Sequence, residues 1–137
     1  MVMTVERLAR FGDAWRRKDL DALMDFMTED CEFRASVGTE PGTTFRGHDQ
    51  VRMGFALMMA FDEGYESRPG GTAFISGDQG ATQWSYVRTD EAGTVHEVHG
   101  CDLFRFEGDR IRVKDAYRKV DADITNSRSL PAPPSGA

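Results

Sequence analysis

Three β-rich runs crowd the C-terminal half of the chain: Ala81 to Arg88, Thr94 to Phe106 and Ile111 to Val120. Only the short segments DEAG (Asp90 to Gly93) and EGD (Glu107 to Asp109) separate them, so the runs are expected to form an antiparallel meander. At 137 residues the chain is long enough for one hydrophobic core and too short for two domains.

What precedes the meander reads as mostly helical. Thr4 caps a first helix with Glu6 in its first turn, and Val5, Leu8, Phe11 and Trp15 fall on one face. Asp19 caps a second run, Leu20, Leu23, Phe26 and Met27, which closes near Thr28, Glu29 and Asp30 to make a helical hairpin. Cys31 to Val37 alternates like a half-buried strand, with Phe33, Ala35 and Val37 on one side. Gly38 to Gly47, GTEPGTTFRG, is expected to be irregular and to form a lip over a pocket. A third helix runs from His48 to about Phe61, with Val51, Phe55, Met58 and Met59 on its apolar face. Short strands at Tyr65 to Arg68 and Thr72 to Ser76 lead into the meander. Helices first and hairpin-linked strands last is the order of an α+β domain, expected over residues 1–120, with helices covering one face of a curved antiparallel sheet that encloses a pocket. Residues 121–137 lose periodicity and gain Pro, Gly and Ser, which predicts a flexible tail.

Several function classes lose support at this level. Basic residues number 17 against 23 acidic ones, for a net charge of −6, and the basic ones are scattered, so no nucleic-acid partner is expected. The first residues lack the apolar stretch of a signal peptide and no run approaches a membrane span, so a soluble, cytoplasmic protein with no membrane partner is expected. Cys31 and Cys101 are expected as buried free thiols. With no C-x-x-C and no H-E-x-x-H, neither metal nor cofactor is expected.

The residue that poses the functional question is Asp102. It sits beside Leu103, Phe104 and Phe106 in a strand that should bury side chains, and an ionised carboxylate there is costly unless it is paired or protonated. Either it acts on a ligand or partners hold it. Strand parity puts Asp102 with Phe104, Phe106, Gly100, Val98 and His96, and turns His99, Cys101 and Leu103 the other way. His96 lies roughly 20 Å along the strand, too far for a dyad, and a bulge at Gly100 would flip the assignment. In the last run Ile111, Val113, Asp115 and Tyr117 share the more apolar face, taken here as the pocket side. Asp115 would then be a second cavity carboxylate, or would pair at the mouth with Arg112, Lys114 or Arg118. Trp84 and Tyr86 share a face with Arg88; inward, they supply an aromatic wall and a phenol donor, and outward, a dimer contact. The candidate catalytic residues are therefore Asp102, Asp115, Tyr86 and Tyr117. The candidate ligand wall is Phe11, Trp15, Phe33, Ala35, Phe55 and Met58, with Trp84 and Phe104 from the meander. His48 reads as an ordinary surface residue, and Arg46 is the loop arginine best placed to meet a substrate.

From Arg10 to Tyr117 the chain resembles the nuclear transport factor 2-like superfamily, and within it the SnoaL-like proteins and ketosteroid isomerases. The matching pieces are KDLDAL (Lys18 to Leu23), TEDCEF (Thr28 to Phe33), VGTEP (Val37 to Pro41) and CDLFRFEGDRI (Cys101 to Ile111). The resemblance implies a cone of strongly curved sheet closed by three N-terminal helices, and a homodimer formed through the outer face of the sheet. It also implies that the isomerase base falls at Ala35, the isomerase tyrosine at Phe11 and the oxyanion-hole acid at Asp102. Only the last retains its chemistry. The limonene epoxide hydrolase arrangement is matched no better, because Gly100 stands where that branch has arginine.

The sequence thus supports a cofactor-free acid/base enzyme of SnoaL-like type, an isomerase, cyclase or dehydratase acting on an apolar ring- or carbonyl-containing metabolite. The alternative is a dimeric binding module that holds a hydrophobic ligand or partner without chemistry.

Overall fold

Thr4 Oγ1 accepts a hydrogen bond from the Arg7 amide at 3.1 Å and starts α1 (Val5–Arg16), which buries Leu8, Phe11 and Ala14. Asp19 caps α2 (Leu20–Asp25) in the same way, accepting from the Ala22 amide at 3.1 Å. These coordinates are a computed structural model, and the structure describes residues 1–39 and 41–119. The expected boundary at Val120 and the expected tail lie outside the described residues.

The second helix is shorter than its apolar run. Phe26 is its C-cap, and Met27 already opens β1 (Met27–Arg34), so Thr28 to Asp30 are strand residues rather than a helix end. That strand stops at Arg34, short of the expected Val37, and pairs with β2 (Thr44–Arg46), which lies inside the segment expected to be irregular. Helix α3 (His48–Phe61) buries Val51, Phe55 and Met58. Gly54 has a specific reason to interrupt it: a Cβ there would stand 2.6 Å from a ring carbon of Phe45, so glycine lets the helix sit against β2.

The rest is sheet: β3 (Glu66–Ser67), β4 (Ala73–Ser76), β5 (Gln79–Thr89), β6 (Val95–Glu107) and β7 (Arg110–Arg118). The strand order is β2-β1-β7-β6-β5-β3, with β4 also paired to β5. As expected, β5, β6 and β7 form an antiparallel meander, and β1 adds to β7 in parallel. The three helices pack on one face of this curved, unclosed sheet, which is the α+β cone that the resemblance implies. Phe55 is fully buried at the centre of the core, its ring 5.0 Å from both Trp15 and Phe33 and 6.3 Å from Phe11.

One irregularity controls what the cavity contains. Arg105 pairs with Val113 while Phe106 pairs with Ile111, so Arg112 is an extra residue, a β-bulge in β7. Because side chains alternate with period two, the bulge exchanges the faces of all residues beyond it. Ile111 faces the helices, and so do Lys114, Ala116 and Arg118, whose partners Phe104, Asp102 and Gly100 face the same way. Val113, Asp115 and Tyr117 face outward with Arg105, Leu103 and Cys101. The expectation that Ile111, Val113, Asp115 and Tyr117 share the pocket side is therefore corrected. Cys31 is buried and Cys101 is half-buried on the outer face, both as free thiols. No helix among the described residues is long and apolar enough to cross a membrane.

Candidate active site

Between the helices and the inner face of the sheet lies a cavity of about 530 Å³. Leu8, Phe11, Trp15, Phe33, Met58 and Phe104 form its apolar wall. The sheet adds Thr82, Trp84 and Tyr86 from β5, Asp102 from β6, and Lys114, Ala116 and Arg118 from β7. The lip is not the expected one: Ser67 to Ala73, with Pro69, Gly70 and Gly71, edges the cavity, and no described residue of Gly38 to Gly47 does. Ala35 and Phe55, expected in the ligand wall, are in the packed core behind it. Met59 packs against the core from outside the cavity.

The register of β5 against β6 runs without a break from Gln79 opposite Arg105 to Thr89 opposite Val95, so no bulge at Gly100 disturbs the parity of Asp102. Trp84 and Tyr86 consequently face inward. Trp84 lies directly over Gly100, where any Cβ would overlap the indole and the Tyr117 carbonyl oxygen. Burial, and then the negative charges of Asp102 and Asp62, push the Tyr86 phenol up to about 12. At neutral pH it is a hydrogen-bond donor.

Asp102 is buried and has a partner that sequence reasoning missed. Lys114 Nζ donates to its Oδ1 at 3.2 Å, and the two side chains are 7% and 9% exposed respectively. The ammonium also stands 4.5 Å from the centre of the Trp15 ring and 5.0 Å from that of Phe33, so aromatic faces replace part of its lost hydration. The sequence reading offers Lys114 only as one of three possible partners of Asp115 at the mouth. The available signal was the need of a buried aspartate for a cation on a neighbouring strand.

Arg118 anchors the far end of the site. Its Nη1 and Nη2 donate to Asp62 Oδ1 and Oδ2 at 3.1 and 2.8 Å, and its Nε donates to Ser36 Oγ at 3.0 Å. Arg16 pairs with Asp13 and Arg68 with Glu97, so each basic side chain lining the cavity has a carboxylate partner. A cavity balanced in this way favours a neutral ligand.

The remaining candidates fall elsewhere. The bulge leaves Asp115 and Tyr117 outside, where the Tyr117 hydroxyl donates to Asp115 Oδ2 at 3.3 Å and Arg34 pairs with Asp115 at 3.5 Å. Asp102 and Asp115 are therefore not a carboxylate pair. His96 bonds to Asp90 Oδ2 at 2.9 Å beside the β5–β6 turn, and His99 faces outward near Glu97. His48 is more than a surface residue, since its Nε2 meets the Met24 carbonyl at 3.1 Å and ties α3 to α2. Arg46 pairs with Glu32 away from the cavity. No group of three or more His, Cys, Asp or Glu side chains among the described residues could hold a metal ion.

The fold recurs in solved structures. A nuclear transport factor 2-like protein of unknown function from Cytophaga hutchinsonii is 17% identical with a TM-score of 0.64, over 83% of this chain and 97% of that one. A candidate polyketide cyclase from Pseudomonas putida is 15% identical with a TM-score of 0.65, over 85% and 92%. A hypothetical protein with a ketosteroid isomerase-like fold from Catenulispora acidiphila, in complex with trimethylamine, is 22% identical with a TM-score of 0.65, over 84% and 86%. At these identities the likeness concerns the fold alone. No curated protein matches the chain. Residues 8–113, most of the chain, match the model of the SnoaL-like domain, and the chain belongs to the SnoaL-like domain family.

Proposed function

We propose that the cavity binds an apolar metabolite bearing a carbonyl or a ring, and that Asp102 moves a proton on it without a cofactor, as in an isomerisation, cyclisation or dehydration. The observation that carries this reading is the buried Asp102–Lys114 pair facing a ligand-sized cavity beside the aromatic rings of Trp15 and Phe33. Apolar side chains of similar volume in place of such a pair would cost nothing or add stability, so its presence against a ligand-sized space favours a chemical role. The carboxylate takes a proton from carbon next to the carbonyl. The Tyr86 hydroxyl donates to the carbonyl oxygen, and the Lys114 ammonium holds Asp102 and balances the negative charge that develops. The candidate polyketide cyclases among the structural neighbours, from Pseudomonas putida and Xanthomonas campestris, are consistent with a carbonyl-rich ligand. The steroid isomerase layout is not the one proposed, because the resemblance puts Phe11 and Ala35 at its tyrosine and base positions.

The test is exchange of the α-protons of 2-tetralone in D2O, followed by NMR. Asp102→Asn is expected to lower the protein-catalysed rate by about 10²–10⁴-fold, while the circular dichroism spectrum and ligand quenching of Trp15 and Trp84 fluorescence persist. Quenching without exchange in the unaltered protein would instead establish a binding cup, the reading favoured by the apolar residues at Phe11 and Ala35. We further propose a homodimer through the outer sheet face, where Leu103 and Tyr117 are 47% and 52% exposed. Light scattering that shows a monomer at micromolar concentration would exclude it.

A further inference from the structure

Lys114 has more to offer than its charge. Its amine lines a cavity wide enough for a small molecule, and its one ionic partner among the described residues is a carboxylate equally shielded from water. A proton passed from the ammonium to the carboxylate across their hydrogen bond changes no net charge and leaves a free amine beside a carboxylic acid. A nucleophile and a proton donor 3.2 Å apart are the two groups that condensation with a carbonyl requires.

We propose that Lys114 Nζ forms an imine with small aromatic aldehydes or ketones bound in the cavity, with Asp102 as the proton shuttle; this rests on the carbonyl-binding reading of the same site. Nζ adds to the carbonyl carbon while the π pair of the C=O bond moves to oxygen. Asp102 gives its proton to that oxygen and takes one back from the added nitrogen, which yields a neutral carbinolamine. Asp102 then protonates the hydroxyl, the C–O bond breaks, water leaves, and the nitrogen lone pair forms the C=N bond. Amine, carboxylic acid and carbonyl become iminium, carboxylate and water, and nothing is oxidised or reduced. The iminium takes the place of the ammonium, still paired with Asp102 and still lying on the faces of Trp15 and Phe33. An iminium also acidifies the neighbouring C–H bonds, so the covalent step feeds the proton transfer assigned to Asp102.

The chain suits a direct test, because Lys18 and Lys119 are its only other lysines and both are exposed. The folded protein is incubated with 6-methoxy-2-naphthaldehyde and sodium cyanoborohydride, and the reduced adduct is located by peptide mass spectrometry. Lys114 is expected to be labelled at least tenfold faster than Lys18, Lys119 or the α-amino group. Lys114→Arg, which keeps the cation, is expected to lose the fast label and keep its circular dichroism spectrum. Labelling confined to the exposed amines, or fast labelling that survives in Lys114→Arg, overturns the proposal. If Lys114 stays unlabelled while 2-tetralone exchange still depends on Asp102, the covalent step alone is wrong. Loss of both results removes the carbonyl-binding reading as well.

Discussion

Breaking the Asp102–Lys114 pair from each side in turn gives a quantitative prediction. At 3.2 Å the Coulomb attraction is about 5 kcal/mol for an effective dielectric constant of 20, and desolvation of both ions offsets most of it. Lys114→Met leaves a carboxylate in an apolar cavity with no cation, at a cost of about 3–5 kcal/mol. Asp102→Asn is expected to cost less, about 2–3 kcal/mol, because the ammonium keeps its contacts with Trp15 and Phe33, worth roughly 0.5–2 kcal/mol. The double variant strands no buried charge and leaves only an unpaired amide, at about 1–3 kcal/mol, so it should cost no more than either single. The singles therefore sum to more than the double, a coupling of at least about 2 kcal/mol. Urea unfolding followed by tryptophan fluorescence, with linear extrapolation to water, measures all four corners of the cycle. If the double variant costs the sum of the singles to within about 0.5 kcal/mol, the two residues are energetically independent and the reasoning fails.

Three further outcomes are expected. Tyr86 titrates near 12 in the folded protein and near 10 when unfolded, so the folded state binds the proton more tightly. Its contribution is complete below pH 10 and is lost as the pH rises to 12, by roughly 2–3 kcal/mol; urea midpoints across that range should fall, and should fall less in Tyr86→Phe. Gly100→Ala drives a methyl group into Trp84 and the Tyr117 carbonyl, at a cost of about 1–3 kcal/mol; an unchanged melting temperature and emission maximum would show that the indole does not lie on this glycine. Arg118→Met removes the two hydrogen bonds to Asp62 and the one to Ser36, costing about 2–3 kcal/mol. Hydrogen exchange should then quicken in the last turn of α3, and protection equal to that of the unaltered protein would refute the anchoring role.

The parts legible in the sequence are those fixed by local chemistry. Thr4 and Asp19 cap the helices they were expected to cap, and the apolar spacing from His48 to Phe61 marks α3 correctly. The parity of Asp102, Trp84 and Tyr86 also holds, because the β5–β6 ladder is regular throughout. What alternation could not convey is the bulge at Arg112. Ile111 and Val113 look like consecutive members of one buried face, and both are indeed buried, on opposite sides of the sheet. Once that step is missed, Asp115 and Tyr117 move inside on paper and Lys114 moves out. The second helix was overextended for a related reason: Phe26 and Met27 continue the helical spacing, yet Met27 is buried equally well at the start of a strand beside Ile111. Periodicity identifies which residues are buried, while the fold decides from which side.

The bulge also means that β7 carries two alternative cavity chemistries and displays one. With Arg112 in place, the inner set is an ammonium, a methyl group and a guanidinium; the outer set is a carboxylate and a phenol. A β7 of the same length paired without the bulge would turn the second set inward, with Asp115 opposite Asp102 and Tyr117 opposite Gly100. The sign of the charge facing Asp102 is thus set by the register of a strand and not by the identity of any one residue along it. A slip of β7 by one residue against β6 would by itself turn the ion-paired site into a two-carboxylate site.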